Sequence, residues 1–445
     1  MASDLLSIAT SGAKAARLAL DVTAQNIANA SSQGYVRRTL RLEELSSTGG
    51  VGRIGDLSLS GVRLGAIVRN ADVFRQTEVR RTGADAARGS SEVAGLENVQ
   101  TAVEQSNVYP SIVKFEASLR QLASDPVDPS LRAAVIESTR TMTRTFNIAA
   151  SSLDSAGSGM RFEAADGVSQ VNALAGELAR VNLRLARASD ETSDQTALLD
   201  QRDSLLEQMS QYADVSTTIA ANHTVEVRLG GTAGPQLVAG GSTVPLTMAS
   251  AANGTISFTL GATAVTLAGG SLAGKAQALV KLADVRTRLD TIAGSVIAAL
   301  NTAQSSGIAL DGSAGQPLLA GTDAASMALA FEDGRKIATA PAGAGANSRD
   351  PANLTALRSS LATADPAGAM DALIFDISGT VAGRTVTRDA LNTIAGNARN
   401  ALDAQSGVNL DQEAANLIRY QQAFQASSKA MQIASNIFDT LLQLR

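Results

Sequence analysis

Few residues in this sequence have the types and spacing that catalysis needs. His223 is the one histidine, and there is no cysteine. A catalytic imidazole needs a partnered nucleophile or ligand cluster nearby, and the sequence places none in register with His223. Its position at the entry of an alternating run predicts a histidine in a surface turn. The lack of cysteine excludes disulfides, thiolate metal sites and cysteine nucleophiles.

The segment from Gly50 to Gly55 matches the G-x-G-x-x-G pattern of dinucleotide-binding turns. That pattern holds a pyrophosphate only where a buried strand precedes it and a helix follows, because the helix N-terminus supplies the donors. Here Ser-Ser-Thr-Gly precedes the segment and a strand-like alternation follows it. We interpret the segment as a flexible turn, and the sequence indicates no cofactor and no metal.

Asp200, Arg202 and Asp203 form a dense charged cluster after two leucines. Two nearby carboxylates can serve acid–base chemistry or bind a metal. An arginine between them favours a simpler interpretation, in which the cluster is an ion-paired, solvated helix face.

A second cluster is basic and consists of Arg37, Arg38 and Arg41. Such a cluster can bind a polyanion, but two glutamates follow it directly and Tyr35 is the only aromatic residue beside it. These neighbours favour a solvated or inter-subunit face.

Composition narrows the function further. The 445 residues suggest two to four domains. Lys and Arg number 37 against 42 Asp and Glu, so the net charge is −5 and nucleic acid is not an expected partner. Aromatic residues make up 3% of the chain, so the core must be built from small and branched aliphatic side chains. These features argue against an enzyme.

The beginning of the chain lacks the pattern of a secretory signal. Asp4 stands where basic residues would precede an apolar run. No apolar run approaches the 18 or so residues that span a bilayer. We expect no membrane insertion, while export by another route stays open.

Both ends of the chain have the 3-4 spacing of a coiled-coil seam. At the N-terminal end, Gly34 follows the predicted helix and provides a stop. The seam there comprises Leu6, Ala9, Ala13, Ala16, Leu20, Thr23, Ile27 and Ala30. At the C-terminal end, residues recur every seven positions, namely Leu410, Leu417, Phe424, Met431 and Phe438, with Leu442 at an alternating position. A second C-terminal stripe begins at Tyr420, and two stripes on one helix imply two neighbours.

Between the ends, helical periodicity alternates with one β-like region. The spacing predicts helices near 112–122, 131–146, 168–185, 198–212 and 282–299. Two Asp-Pro pairs separate the first of these predicted helices from the second. The period changes to two over 214–274, where Asn253-Gly254 signals a hairpin. A weaker extended region covers 51–68, and 305–360 is rich in Gly, Ala, Ser and Pro, which indicates loops with short helices.

These patterns predict a mainly α fold with a small β insert. It would have paired terminal coiled-coil helices, a discontinuous central helical bundle and a β-rich outer domain. We divide the chain into 1–60 with 400–445 for assembly, 61–213 with 275–399 as the central helical domain, and 214–274 as the β-rich insert. The terminal seams consist mostly of small residues and bury little apolar area, so an isolated pair would be marginal. That favours assembly against further neighbours.

Two segments resemble the axial proteins of the bacterial flagellum, which are its rod, hook and hook-associated proteins. One runs from Asn26 to Tyr35 and is similar to the family's N-terminal signature, although Ser32-Gln33 stand where the family usually has Thr-Pro. The other runs from Gly407 to Ala426 and resembles the family's closing helix. The stretch Leu198-Leu199-Asp200-Gln201-Arg202-Asp203, with Leu122 to Pro126 before it, is similar to the hook-associated members at the hook–filament junction.

The resemblance implies a structural subunit, secreted unfolded through the flagellar type III apparatus, that forms a homo-oligomeric ring between hook and filament. Its implied partners are the hook protein, the next hook-associated junction protein, an export chaperone and the export apparatus. The residues expected to carry assembly are Leu6, Leu20, Asn26, Ile27, Asn29, Gly34, Tyr35, Leu410, Leu417, Tyr420, Phe424, Met431, Phe438 and Leu442.

Two alternatives remain open. One is another axial component, such as a hook or rod protein, because the two terminal segments fit those proteins equally well. The other is an enzyme or a secreted adhesin that uses the β insert.

Overall fold

The computed structural model describes residues 2–32, 34–44, 61–188 and 192–443, and helices predominate in it. Within these ranges the helices are α1 (Ala2–Ala28), α2 (Val73–Glu104), α3 (Val108–Leu122), α4 (Pro129–Leu185), α5 (Ser193–Ser210), α6 (Gly270–Ser305), α7 (Ala352–Ala364), α8 (Pro366–Ser406) and α9 (Leu410–Gln443). The predicted mainly α fold, with long terminal helices and a helical bundle, is confirmed.

The strands are short and every pair is antiparallel. They are β1 (Arg38–Glu44), β2 (Val62–Arg69), β3 (Val215–Ile219), β4 (Val225–Leu229), β5 (Gln236–Ala239), β6 (Ser242–Thr243), β7 (Leu246–Ser250), β8 (Ile256–Leu260), β9 (Thr263–Val265), β10 (Gly307–Ile308), β11 (Leu319–Ala320), β12 (Ala328–Leu329) and β13 (Ala340–Pro341). The strands pair in the orders β1-β2, β3-β4-β5-β6, β7-β8-β9, β10-β13 and β11-β12.

The chain forms two compact units, one built from three stretches of sequence and the other from two. Unit 1 contains 1–84, 170–245 and 392–445, and unit 2 contains 85–169 and 246–391. The strands of the predicted β region therefore form two sheets, one of four strands in unit 1 and one of three strands in unit 2. The three-domain division made from the sequence stays a prediction.

The core of unit 2 is built as the apolar spacing predicts. Phe115 of α3, Phe146 of α4 and Leu289 of α6 are fully buried in one cluster that also includes α7 and the first part of α8. The Asp-Pro break between α3 and α4 has a clear local cause. Asp128 accepts from the backbone N–H groups of Ser130 and Leu131, at 2.7 and 2.9 Å, and so caps α4. Pro129 then occupies the first helical position, where a missing N–H costs nothing.

The segment from 305 to 360 is irregular, as its composition predicts, and a buried arginine organises part of it. Arg132 of α4 donates to the carbonyl oxygens of Gly334 and Ile337, at 3.0 and 2.8 Å, and to Thr339 Oγ1 at 2.8 Å. A guanidinium has five donors in a fixed fork, so one side chain can satisfy several loop acceptors. The two short strand pairs β10-β13 and β11-β12 also lie within this segment.

Helices α2 and α8 are absent from the sequence-based predictions. In α2 the apolar periodicity is weak because small residues such as Ala84, Ala86 and Gly95 occupy inward positions. In unit 2, Gly95 of α2 lies so near α4 and α6 that an added Cβ would be 2.5 Å from Ala278 Cβ and 2.8 Å from Met160 Sδ. The missing side chain is therefore what allows α2 to pack.

Replacing Gly95 with alanine is expected to lower the free energy of unfolding by about 1–3 kcal/mol, because the core would be overpacked. Gly159→Ala in α4 is the matched control, since its Cβ would meet nothing within 4 Å. That control should gain up to about 1 kcal/mol from helix propensity. Urea denaturation of the two variants measures both effects, and equal stabilities would contradict the packing assignment.

The hairpin predicted at Asn253-Gly254 joins β7 to β8. Gly254 has a φ of 83°, and its N–H donates to the Ala251 carbonyl at 2.9 Å. Asn253 Oδ1 accepts from the Thr255 hydroxyl at 2.7 Å, which fixes the turn. The extended region predicted at 51–68 is observed from Val62 onward as part of β2, and its earlier part lies outside the described residues.

Candidate assembly site

The two terminal helices lie against each other in unit 1. The face of α1 that packs in unit 1 is lined with small buried side chains, among them Ala9, Ala13 and Ala16. An added Cβ at Gly12 would be 3.1 Å from Ser427 Oγ of α9, so the two backbones approach closely there. The pairing of the chain's ends, predicted from the two seams, is confirmed by contacts along α1 and α9.

The structure places the predicted assembly residues in two groups. One group is buried or half-buried within unit 1: Leu20, Asn26, Ile27, Asn29, Gly34, Tyr35, Leu417, Tyr420 and Met431. The other group is exposed: Leu6, Leu410, Phe424 and Phe438. The Leu442 side chain lies outside the described ones. The inner face of α9 therefore combines members of both predicted stripes, while large apolar residues remain on its outer face.

Asn26 fastens the end of α1 to the start of β1. Its Oδ1 accepts from the backbone N–H of Arg38 at 3.0 Å, and its Nδ2 donates to the Arg38 carbonyl at 2.9 Å. The Tyr35 hydroxyl donates to the same Oδ1 at 2.9 Å. The Asn26 side chain thus makes the two backbone hydrogen bonds that a neighbouring strand would make to Arg38, and these bonds fix the turn of the chain after α1.

Glu413 connects this turn to α9. Its carboxylate accepts from Arg37 Nε at 2.7 Å and from Asn26 Nδ2 at 3.2 Å, and the residue is 1% exposed. A buried carboxylate is tolerated only when it is paired and hydrogen-bonded, and both conditions hold here. The contact joins residues almost 400 positions apart in the sequence.

A second group of ion pairs holds α5 against the β1-β2 hairpin. Asp200 accepts from Arg38 at 2.8 Å and lies 2.7 Å from the Arg69 guanidinium. Asp203 accepts from Arg69 at 2.9 Å and from Arg202 at 2.7 Å. We call these nine residues the polar anchor: Asn26, Tyr35, Arg37, Arg38, Arg69, Asp200, Arg202, Asp203 and Glu413.

The anchor corrects two interpretations made from the sequence. Asp200, Arg202 and Asp203 are ion-paired, as predicted, but they are not solvated, since Arg202 is 4% exposed. Arg38 is also buried, and among the three predicted basic residues only the Arg41 side chain is largely exposed. The interpretation of the acidic cluster as a solvated face was wrong, and so was a solvated face at Arg38, because local sequence does not reveal a partner brought in from a distant segment.

His223 lies in the turn between β3 and β4, as predicted. Its φ is 62° and its backbone N–H donates to the Ala220 carbonyl at 2.9 Å. Its carbonyl accepts from Arg202 at 2.8 Å, so the residue contributes its backbone to the end of the anchor. The segment from Gly50 to Gly55 lies outside the described residues.

The anchor gives the fold a predictable pH dependence. Burial raises the pKa of the Asp203 carboxyl, but Arg202 and Arg69 outweigh burial and hold that pKa below its ordinary value. A carboxyl with a lowered folded pKa stabilises the fold above its unfolded pKa, about 4, and that contribution disappears as the pH falls through the folded pKa.

We therefore expect the free energy of unfolding to fall as the pH drops below about 4. Urea denaturation between pH 7 and pH 2 measures it. Asp203→Asn should be less stable at pH 7 and should lose part of this dependence, whereas Asp411→Asn, at an exposed position, should retain it. An unchanged pH dependence in Asp203→Asn would contradict the assignment.

Sequence reasoning missed two members of the anchor, Arg69 and Glu413. Glu413 lies in the first turn of α9, where an acidic residue is ordinarily explained by the helix dipole. Arg69 is the last residue of β2 and stands in no motif. No local signal distinguishes either residue from a surface charge.

The ion pairs and hydrogen bonds of the anchor join α1, the β1-β2 pair, α5 and α9. The carboxylates of the anchor pair with its guanidinium groups, although Arg38 Nε and Arg69 Nε are buried without a hydrogen-bond partner. Within the described ranges no group of three or more acidic or imidazole side chains is arranged to hold a metal ion. Among the helices described, none has the length and apolar character needed to cross a membrane.

Models of three protein families match the chain. Residues 93–319 match the flagellar hook-associated protein FlgK helical domain. Residues 401–444 match the C-terminal model of the flagellar basal body rod FlgEFG proteins, and residues 6–35 match the flagella basal body rod protein model. The two terminal models cover the α1–α9 pair.

Relatives and a solved structure agree with these matches. Flagellar hook-associated protein 1 of Bacillus subtilis is 26% identical over 211 residues, covering 46% of this chain and 42% of that protein. The protein of that name from Salmonella typhimurium is 26% identical over 232 residues, covering 51% of this chain and 41% of that protein. The chain thus matches about two fifths of the length of these relatives.

The structure of the flagellar hook junction protein FlgK from Burkholderia pseudomallei superposes with a TM-score of 0.65. The sequences are 14% identical, and the superposition covers 74% of this chain and 100% of that chain, so this likeness shows the fold. The helical-domain model spans more than half of the sequence, and the chain therefore belongs to the flagellar hook-associated protein FlgK family.

Proposed function

We propose that this chain is a structural subunit, not an enzyme, of the junction between the hook and the filament of the bacterial flagellum. It would be exported unfolded by the flagellar type III apparatus and then assemble, through its terminal helices, into a homo-oligomeric ring. The hook protein and the next hook-associated protein would be its neighbours, and a chaperone would accompany its export.

The match over residues 93–319 carries this proposal, because that model is specific to hook-associated proteins while the terminal models are shared with rod proteins. The exposed side chains support assembly through the ends. Leu5, Leu6 and Ile8 of α1 are 40–52% exposed, and Ile418, Ile433 and Phe438 of α9 are 51–56% exposed. Apolar side chains of this size gain about 1.5–3 kcal/mol each on full burial, so further helices would stabilise the pair.

A second candidate is another axial component, such as a hook or rod protein. The rod-type matches at both termini favour it, since they cover the assembly helices themselves. It differs from the first candidate in position along the flagellum, not in the mode of assembly.

Locating the chain with a gold-labelled antibody tests the proposal. Label at the distal end of the hook, together with hooks that lack filaments when the gene is deleted, is the expected result. Label along the hook, or a deletion strain that lacks hooks, would contradict it and favour the second candidate.

A further inference from the structure

Two helices of unit 2 carry uncharged, exposed stripes that face away from the core. The α4 stripe consists of Ile148, Ser151, Ser155, Gly159 and Phe162, and the α8 stripe consists of Phe375, Gly379, Ala382, Val386 and Ala390. Phe162 is 78% exposed and Phe375 is 79% exposed. Single exposed apolar residues are common, but apolar side chains grouped on one exposed helix face mark a protein–protein interaction surface.

Glycines on and beside these stripes lie in open space within the described part of the chain. A Cβ added at Gly159, Gly379 or Gly383 would meet no atom of the described chain within 4 Å. Glycine weakens a helix interior relative to alanine, so these positions lower helix stability with no packing in return. Gly95 of the same unit shows the opposite case, in which a glycine admits a neighbouring helix.

The two stripes lie on opposite flanks of the unit. Asp154 of α4 pairs with Arg286 of α6, whereas Asp376 of α8 pairs with Lys281 and Arg288. At about 100° per residue, Arg288 points about 200° around the α6 axis from Arg286. Helix α6 therefore has α4 on one side and α8 on the other.

Helices α4 and α8 run in the same direction. Along α4, Asp154 and then Glu163 pair with Arg286 and then Lys275, so α4 is antiparallel to α6. In the same way α8 is antiparallel to α2, because Glu92 contacts Arg384 and Gln100 contacts Ser378. The contacts of Gly274 with Arg88 and of Ala278 with Gly95 make α2 parallel to α6.

The stripes are complementary when a second copy is set beside the first without axial shift. Asp154 and Asp376 mark one level, since both pair with the same turns of α6. Counting from that level, Phe162 of one copy lies level with Arg384, one residue beyond Gly383, and Phe375 of the other lies level with Leu153, in the turn between Ser151 and Ser155. The phenyl ring of each phenylalanine therefore lies beside small residues of the facing helix, and large side chains that fit between small ones allow two helices to pack closely.

The ends of the stripes also have complementary charge. Arg144 is exposed and precedes the α4 stripe by one turn, and Asp365 is exposed just before α8. The same count puts Arg144 of one copy at the level of Pro366, one residue from Asp365, of the next. The stripes themselves carry no charge that would oppose burial.

We propose that the α8 stripe of one copy of this chain packs, parallel, on the α4 stripe of the next copy. Because the stripes lie on opposite flanks, the contact is head-to-tail and continues from copy to copy, as a ring requires. The inference rests on the proposed function and names the lateral surface of that ring.

The size of the contact explains why it would form only during assembly. In this register the two stripes overlap for about nine residues of helix, roughly 14 Å, and a strip about 10 Å wide buries on the order of 140 Å² per copy, or about 280 Å² in total. Stable interfaces bury about 1,200–2,000 Å². The stripes therefore do not hold a dimer in solution, and they act together with the terminal helices.

Cross-linking tests the contact directly, because the chain has no cysteine of its own. Flagella containing the double variant Ser155→Cys with Gly379→Cys are treated with a short thiol-reactive cross-linker. The expected result is a ladder of covalent multimers. Each single variant should give monomers only, and the control pair Thr287→Cys with Gly379→Cys, which uses an exposed residue on the outer face of α6, should give no ladder.

Three outcomes would overturn the inference. A double variant that reaches the hook end but gives no ladder removes the contact while leaving the proposed function intact. Dimers from either single variant show a two-fold contact instead. Absence of the chain from the hook end overturns the proposed function and, with it, the inference. Circular dichroism and Tm of each purified variant confirm that the cysteines leave the fold unchanged.

Discussion

Replacing Glu413 with alanine is expected to lower the free energy of unfolding of unit 1 by about 3 kcal/mol and to release α9 from α1. The carboxylate is buried and accepts from Arg37 and Asn26. Removing one partner of a buried pair costs about 3–5 kcal/mol, because the other charge is left uncompensated. We expect the lower value of this cost, about 3 kcal/mol, because the Arg37 side chain is 18% exposed and water can hydrate its charge in the variant.

Hydrogen exchange measures this release, because the amides of α9 should lose protection more than those of α3. Asp411→Ala is the matched control, as Asp411 lies in the same first turn of α9 and is exposed. It should change stability by less than about 0.5 kcal/mol. Equal effects of the two substitutions would mean that the helix dipole, not the buried pair, explains the acidic residues of this turn.

Local sequence patterns predicted the structure correctly where an element depends on residues close to it in the sequence. The 3-4 spacing of α1 and α9, the Asp-Pro break before α4 and the hairpin at Asn253-Gly254 each have causes within a few positions. The two terminal segments that resemble flagellar axial proteins also coincide with the helices that pair. The family and the general fold could therefore be predicted before any coordinates were known.

Patterns failed where packing depends on small residues or on distant partners. Helix α2 lacks a clear apolar stripe because Gly95 contributes by omitting a side chain, which no periodicity records. The polar anchor brings together positions 38, 69, 200 and 413, and a charged residue looks the same in sequence whether its partner is water or a buried carboxylate. Helix α2 and the polar anchor were missed for the same reason, because both depend on contacts between residues far apart in the sequence.

Phe438→Asp is expected to block incorporation into the flagellum while leaving the isolated chain as stable as the unmodified one. Phe438 is 51% exposed on α9, so aspartate there meets water in the free chain. If assembly buries this face, the variant must desolvate an unpaired carboxylate, which costs several kcal/mol. Each 1.4 kcal/mol is a factor of ten in an equilibrium constant, so incorporation should fall at least 100-fold.

Leu417→Asp separates assembly from folding of the pair, because Leu417 is half-buried on α9. That variant should block incorporation and also reduce the helicity of the isolated chain, whereas Phe438→Asp should affect only incorporation. Quantitative immunoblots of purified flagella measure incorporation, and circular dichroism measures helicity. Normal incorporation of Phe438→Asp would show that the outer face of α9 stays in solvent after assembly, and the role of the terminal helices would then be limited to their contact with each other.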